Sequence, residues 1–236
     1  MSTARAALAE FLGSFALMFI GGGAIIVTSG ENLVAIAFAH GLILAVMISA
    51  TMHISGGQIN PAVSIALGLI GKQAWPRVGV FVALQLVGAI VAAFLLKVLL
   101  SGAYEVGNVG ATLGSLTTGG SEHVGPGRAI GLEAIATFLL MFVIMGSAVD
   151  ERSGVKAVAG FAIGLTLTAA ILCLGPLTGA SLNPARSLGP AVVAGAWDYH
   201  WVYWVGPLGG AALAAFAYSI SFGTRSPGQA EAPAPS

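Results

Sequence analysis

The sequence predicts an all-α membrane protein, with six transmembrane helices and two half-membrane re-entrant helices laid out as an inverted three-span repeat. Three observations carry this. Hydrophobic residues make up 57% of 236 positions and charged residues only 8%, against roughly 25% charged in a soluble domain. Six runs poor in charge are long enough to cross a hydrocarbon core of about 30 Å. The tripeptide Asn-Pro-Ala occurs twice, beginning at Asn60 and at Asn183, an offset of 123 residues.

The six runs cover residues 8 to 27, 33 to 53, 78 to 99, 129 to 149, 156 to 175 and 201 to 222. The first lacks the short apolar core and small-residue cleavage site of a secretory signal, so it reads as a retained anchor. The offset of 123 extends beyond Asn-Pro-Ala: EFLGSFALMFI from Glu10 aligns with EAIATFLLMFV from Glu133, and AFAHGLIL from Ala37 aligns with GFAIGLTL from Gly160. The single domain 1–236 therefore divides into a first repeat 1–98, an extracellular connection 99–127, a second repeat 128–223 and a Pro/Ala-rich tail 224–236 that reads as disordered. Three spans per repeat force the second copy to enter the membrane from the opposite side. Gly41 and Gly164, at equivalent repeat positions, are expected where two spans cross closely.

The insertions between spans are the informative part. Residues 54 to 71 are too apolar for a cytoplasmic domain, and the ten residues from Pro61 to Ile70 make about 15 Å of helix, half a bilayer. Asn is a favoured N-cap and Pro a favoured first helical residue, so Asn60-Pro61 and Asn183-Pro184 each start a short helix. Gly71 and Gly195 are suited to end them. In inverted repeats these half-helices enter from opposite faces and their N-termini meet near the midplane. Non-helical backbone at that depth is tolerated only where protein buries it or a water-filled cavity runs past it. Segments 54 to 59 and 177 to 182 thus imply a pore.

Basic residues set the orientation. Arg5, Lys72, Arg77, Arg152, Lys156 and Arg225 fall on one side of the six spans, and only Lys97 and Arg128 near the other, which puts both termini in the cytoplasm. Lean connections favour a prokaryotic plasma (inner) membrane. Net charge is zero, so nothing points to a nucleic-acid partner. One cysteine, Cys173, excludes an intrachain disulfide. No nucleophile–base set, metal-ligand cluster or phosphate loop is present, which argues against an enzyme, and neither a metal nor a cofactor is expected.

Two Asn-Pro-Ala motifs on inverted repeats, the second followed by Arg186, resemble the aquaporin and glycerol-facilitator family over Ala9 to Phe222. The resemblance implies a passive channel for water and a homotetramer. It implies that carbonyls of Gly56, Gly57, Gln58 and Ile59, and of Gly179, Ala180, Ser181 and Leu182, line one wall of the pore. The motif residues Asn60, Pro61, Ala62, Asn183, Pro184 and Ala185 would stand at its midpoint, the two Asn amides donating to a passing oxygen. By the family's spacing, His40, Ile171, Ala180 and Arg186 form the extracellular selectivity filter. That set resembles the plant vacuolar branch, where an aliphatic residue facing a small one leaves a wider slot, with ammonia, urea or hydrogen peroxide as co-permeants. Arg186 could instead pair with a loop carboxylate such as Glu122 and hold the fold. Ser187, Ala191 and the pair Tyr203-Trp204 resemble water channels more than the glycerol branch.

Glu10 and Glu133 are intramembrane acids, which physical reasoning makes candidates for a proton relay and hence for a proton-coupled transporter on the same repeat. The family reading is that each holds a half-helix loop by accepting its backbone N–H groups, and His53 is read as bracing the first loop. Cys173, about 200° around the helix from Ile171, should point away from the pore.

Overall fold

The computed structural model describes residues 2–100, 112 and 124–223. Most of the connection 99–127, Glu122 included, and all of the tail 224–236 lie outside the described residues. The elements in chain order are α1 (Thr3–Val27), α2 (Leu33–Ser55), α3 (Pro61–Leu69), α4 (Trp75–Leu99), α5 (Pro126–Ile144), α6 (Ala159–Thr178), α7 (Pro184–Ala194) and α8 (Val202–Phe222). A π turn, Met145–Val149, extends α5, and a 3₁₀ turn, Lys156–Val158, precedes α6. Six of these helices are long and apolar enough to span a membrane. α1 and α4 begin several residues before the apolar runs do, because helix hydrogen bonding continues past the hydrocarbon edge. α4 starts on Trp75-Pro76, where the missing proline N–H costs nothing in the first turn.

The helices are apolar all round, and residue size sorts their two faces. On α1 the buried face carries Ala6, Ala9 and Gly13, while Leu8, Leu12 and Ile20 are exposed. Lipid is as apolar as a leucine, so helices associate through close backbone packing at small residues rather than by hiding large ones. At the centre α2 crosses α6. A Cβ on Gly41 would lie 2.5 Å from the Gly164 carbonyl oxygen, and one on Gly164 only 2.2 Å from the Gly41 oxygen. The duplication recurs at the periphery. α1 packs on α4 as α5 packs on α8: a Cβ on Gly88 would lie 2.4 Å from the Phe11 carbonyl oxygen, and one on Gly210 2.0 Å from that of Ala134.

The half-helices lock the repeats together. α3, of the first repeat, packs on α8 of the second, and α7, of the second, packs on α4 of the first. α7 ends at Gly195, whose φ is 70°. The end of α3 is Ile70, with Gly71 just beyond it at φ 70°. Where α5 and α8 end, Arg152 donates to both carboxylate oxygens of Asp150 and to the Phe222 carbonyl, and Tyr218 donates to Asp150, tying the two helix ends together. Those bonds from Arg152 hold the Asp150 carboxyl well below the usual carboxylate range.

Replacing Gly164 by Val should lower stability in detergent by about 2 kcal/mol or more, since overpacking a tight contact typically costs 1 to 3 kcal/mol. Gly131→Ala, at a site with no atom within 4 Å of a new Cβ, should change thermal unfolding by no more than a few tenths of that. Equal melting temperatures for the two variants would refute the assigned crossing point.

Candidate functional site

The loops that lead into α3 and α7 share one backbone shape. Gly57 and Ile59 have φ of 60° and 54°, and Ala180 and Leu182 of 45° and 53°. A β-branched residue such as Ile59 enters this left-handed region only under constraint, at a cost of order 1 to 3 kcal/mol. Alternating left-handed residues turn successive N–H groups to one side and form a concavity suited to an anion. In each loop the anion is a side chain. Glu10 accepts from the Gln58 N–H at 2.9 Å and the Ile59 N–H at 2.6 Å. Glu133 accepts from the Ser181 N–H at 3.0 Å and the Leu182 N–H at 2.8 Å.

A hydroxyl completes each set. Ser55 donates to Glu10 at 2.6 Å and accepts from the Gly57 N–H at 3.1 Å. Thr178 donates to Glu133 at 2.7 Å and accepts from the Ala180 N–H at 3.1 Å. Glu10 takes a further bond from Gln85 at 2.7 Å, and Gln85 also donates to Ser64 at 3.0 Å. In the second repeat Tyr203 donates its hydroxyl to the Thr178 carbonyl at 2.6 Å. Tyr203 of the aromatic pair thus fixes the end of α6 where the second loop starts, while Trp204 donates to His200 at 3.2 Å.

At the loop tips the two asparagines are crossed. Asn60 Oδ1 accepts from its own helix at the Ala62 N–H (2.9 Å), so its Nδ2 faces the other loop and donates to the Leu182 carbonyl at 2.8 Å. Asn183 Oδ1 accepts from the Ala185 and Arg186 N–H groups (3.0 and 3.3 Å), and its Nδ2 donates to the Ile59 carbonyl at 2.9 Å. Pro61 and Pro184 occupy the first helical position, and Ala62 and Ala185 are buried behind them. A carboxamide nitrogen has two N–H groups. One of each pair is spent across the loops, which leaves one per asparagine, and both asparagines border the same cavity.

That cavity has a volume of about 20 Å³, room for about one or two water molecules rather than bulk solvent. Its apolar wall includes Leu44, Ile48, Leu140, Ile144 and Ile163. Beyond it, past the start of the second loop, a vestibule of about 380 Å³ contains Ile171, Thr112 and Gly179. His40 and Arg186 border both spaces and so mark the narrow boundary between them. The His40 Nδ1 bonds the Ile36 carbonyl at 2.9 Å and must donate there, which leaves Nε2 to accept from the Arg186 guanidinium at 3.4 Å. Gly21 makes room for the ring: a Cβ there would lie 2.4 Å from it. Ala180 lies on the lumen side of the boundary and Ile171 on the vestibule side. Ser187 bonds Ser181 at 2.5 Å and Thr112 at 2.8 Å, so it braces the second loop from behind.

The structure also places His53, the expected carbonyl wall and Cys173. His53 does not brace the first loop: it is exposed, in an outer groove with Arg5, Leu8 and Met47. Ser55 braces the loop instead, and residues two apart on a helix point about 200° from each other. Of the eight residues expected to supply carbonyls, five border the two spaces described above. Gln58, Ala180, Ser181 and Leu182 border the lumen and Gly179 the vestibule, but Gly56, Gly57 and Ile59 border neither. The carbonyls of Ile59 and Leu182 are taken by the asparagine amides. Cys173 opens on an outward groove with Leu132, Leu139 and Thr166, away from the lumen. Ser55, Thr178, Gln85, Thr112 and the Tyr203 hydroxyl were not singled out for these contacts by sequence reasoning. Ser55 and Thr178 stand at the repeat offset and were detectable; Gln85 and Thr112 carry no local signal.

Residues 1–218 match the Major intrinsic protein family. The chain belongs to that family. It is 42% identical over 227 residues to aquaporin TIP4-4 of Zea mays, covering 92% of this chain and 86% of that one, and 41% identical over 230 residues to aquaporin TIP1-2 of Zea mays, covering 93% and 87%. Its fold matches the X-ray structure of the aquaglyceroporin from Plasmodium falciparum with a TM-score of 0.82 at 26% identity, over 93% of this chain and 97% of that one. The family match and the six spanning helices make this an integral multi-pass membrane protein.

Glu133→Gln would turn one carboxylate oxygen into an N–H donor facing a loop N–H. The second loop should lose about 2 kcal/mol of stability, read as a lower melting temperature in detergent. Glu133→Asp, too short to reach both N–H groups, should fall at least as far. A Glu133→Gln melting temperature equal to wild type would remove the carboxylate from its supporting role.

Proposed function

We propose that this chain is a passive, ion-excluding channel for water, and that its lumen also admits ammonia, urea or hydrogen peroxide. The observation that carries the reading is the crossed asparagine pair beside a lumen only wide enough for single molecules. A water molecule stripped of its shell loses hydrogen bonds worth several kcal/mol. Here the free N–H groups of Asn60 and Asn183 return two of them at the midpoint, and the carbonyls near Ala180 and Ser181 offer acceptors on the extracellular approach. Two half-helix N-termini, each carrying about half a positive charge, meet at that midpoint, and Arg186 adds a full charge at the outer boundary. A cation or hydronium is therefore opposed twice. Water whose oxygen is gripped from both loops has its hydrogens turned away from that point, which interrupts proton hopping.

The relatives, aquaporins in each case, support the same reading. A proton-coupled transporter is not favoured, because Glu10 and Glu133 border neither cavity and their oxygens are occupied by the loop N–H groups and hydroxyls. A glycerol facilitator is disfavoured by Ser187, which here belongs to a hydroxyl network behind the loop. Family resemblance supports a homotetramer. Basic residues clustered on one side support cytoplasmic termini, and the lean connections a prokaryotic plasma membrane.

Stopped-flow light scattering of proteoliposomes tests this. Wild type should raise water permeability well above empty liposomes; no increase refutes the channel. His40→Phe with Ile171→His narrows the slot and should keep water flux while lowering urea and ammonia flux by about tenfold, the scale on which a close-fitting pocket discriminates. Unchanged relative rates would refute the filter assignment.

A further inference from the structure

Gln58 is 7% exposed, borders the lumen, and its side-chain Oε1 has no hydrogen-bond partner among the described residues. An orphaned buried acceptor is uncommon and calls for an explanation. Gln85 offers a contrast. Its Oε1 also lacks a partner, but its amide nitrogen is held by Glu10 and Ser64, and it borders neither the lumen nor the vestibule. For Gln58, by comparison, the backbone N–H is bonded to Glu10 and no bond to another described residue draws the side chain away from the lumen.

The repeat sharpens the point. The equivalent position in the second loop is Ser181, whose hydroxyl turns inward to the Asn183 carbonyl at 2.9 Å and to Ser187 at 2.5 Å. A polar side chain left over at the lumen thus occurs in the first loop only. Gln58 stands two residues before Asn60, on the cytoplasmic approach. Apart from the loops, His40 and Arg186, the lumen wall is apolar, with Ile48, Val63, Leu140, Ile144 and Ile163 among its residues. His40 and Arg186 serve the other end.

We propose that the Gln58 carboxamide is a further permeant-contacting group, a hydrogen-bond acceptor that takes an O–H or N–H from the molecule leaving the asparagine pair. It divides an otherwise apolar cytoplasmic stretch into two shorter steps. Its ligands are small neutral donors such as water and ammonia. The inference rests on the reading of this lumen as a water path.

The test compares wild type with Gln58→Met, which keeps the length and removes the acceptor, and Gln58→Asn, which keeps the carboxamide. Water permeability per reconstituted protein and its activation energy are measured by stopped-flow light scattering, with melting temperature in detergent alongside. Gln58→Met should lower water permeability by about fivefold, the effect of one lost hydrogen bond in the barrier. Its activation energy should rise and its melting temperature stay at or above that of wild type. Gln58→Asn should lie closer to wild type than Gln58→Met. A Gln58→Met protein with wild-type permeability and activation energy overturns the proposal. So does a fall in melting temperature with unchanged per-channel activation energy, which would mark Gln58 as structural. Absence of water flux in wild type would instead refute the channel reading itself.

Discussion

At the depth where residues 56 to 60 and 179 to 183 leave helical geometry, an unpartnered backbone N–H costs several kcal/mol, and Glu10 and Glu133 supply the partners. The rest of the site depends on that supply. Each carboxylate fixes two successive N–H groups toward the protein, which holds Ile59 and Leu182 in a backbone conformation they would otherwise avoid. With the N–H groups drawn to one side, the carbonyls of the same residues turn to the other. Those carbonyls then capture the asparagine amides of the opposite loop. A buried charge serves here as a template for backbone shape, and both acids are spent on it.

The crossed bonds have a second consequence. Each half-helix packs on the last helix of the other repeat, so the two copies cannot separate without breaking both asparagine contacts. The pore axis is thereby defined by atoms from both repeats at once. Symmetry ends at the lumen surface. The first loop leaves the Gln58 amide beside the path, whereas the second tucks Ser181 behind it and meets Arg186, His40 and Thr112 at its outer end. A near-symmetric frame thus carries an asymmetric lumen, with the Arg186 charge at its vestibule end.

Much of this was legible in the chain because the signals are local or periodic. Apolar run length marks a span whatever it packs against, and Asn-Pro marks a helix start through capping and a missing N–H. An offset of 123 residues repeated in several segments marks the duplication. Gly41 and Gly164 were readable as a crossing because glycine alone leaves room for close backbone approach; a Cβ on either would lie 2.2 to 2.5 Å from the other's carbonyl oxygen. His53 was misread because adjacency in sequence is not adjacency in space: two residues along a helix reverse the direction of a side chain. Which of the eight expected carbonyls already accept a hydrogen bond was not legible either, because a list of residues does not reveal contacts such as those from Asn60 and Asn183.

The sequence alone determined the number of spans, their inversion, the two capped half-helices and the identity of the buried acids, since each follows from composition, propensity or repetition. Only the tertiary structure decided which amide hydrogens remain for a permeant, that His40 meets Arg186 at the boundary, and that Thr112 reaches into the vestibule. Those outcomes turn on the rotation of helices about their axes and on hydrogen bonds between atoms as many as 146 residues apart. No local preference encodes such pairings; they exist only once both repeats are folded around one lumen.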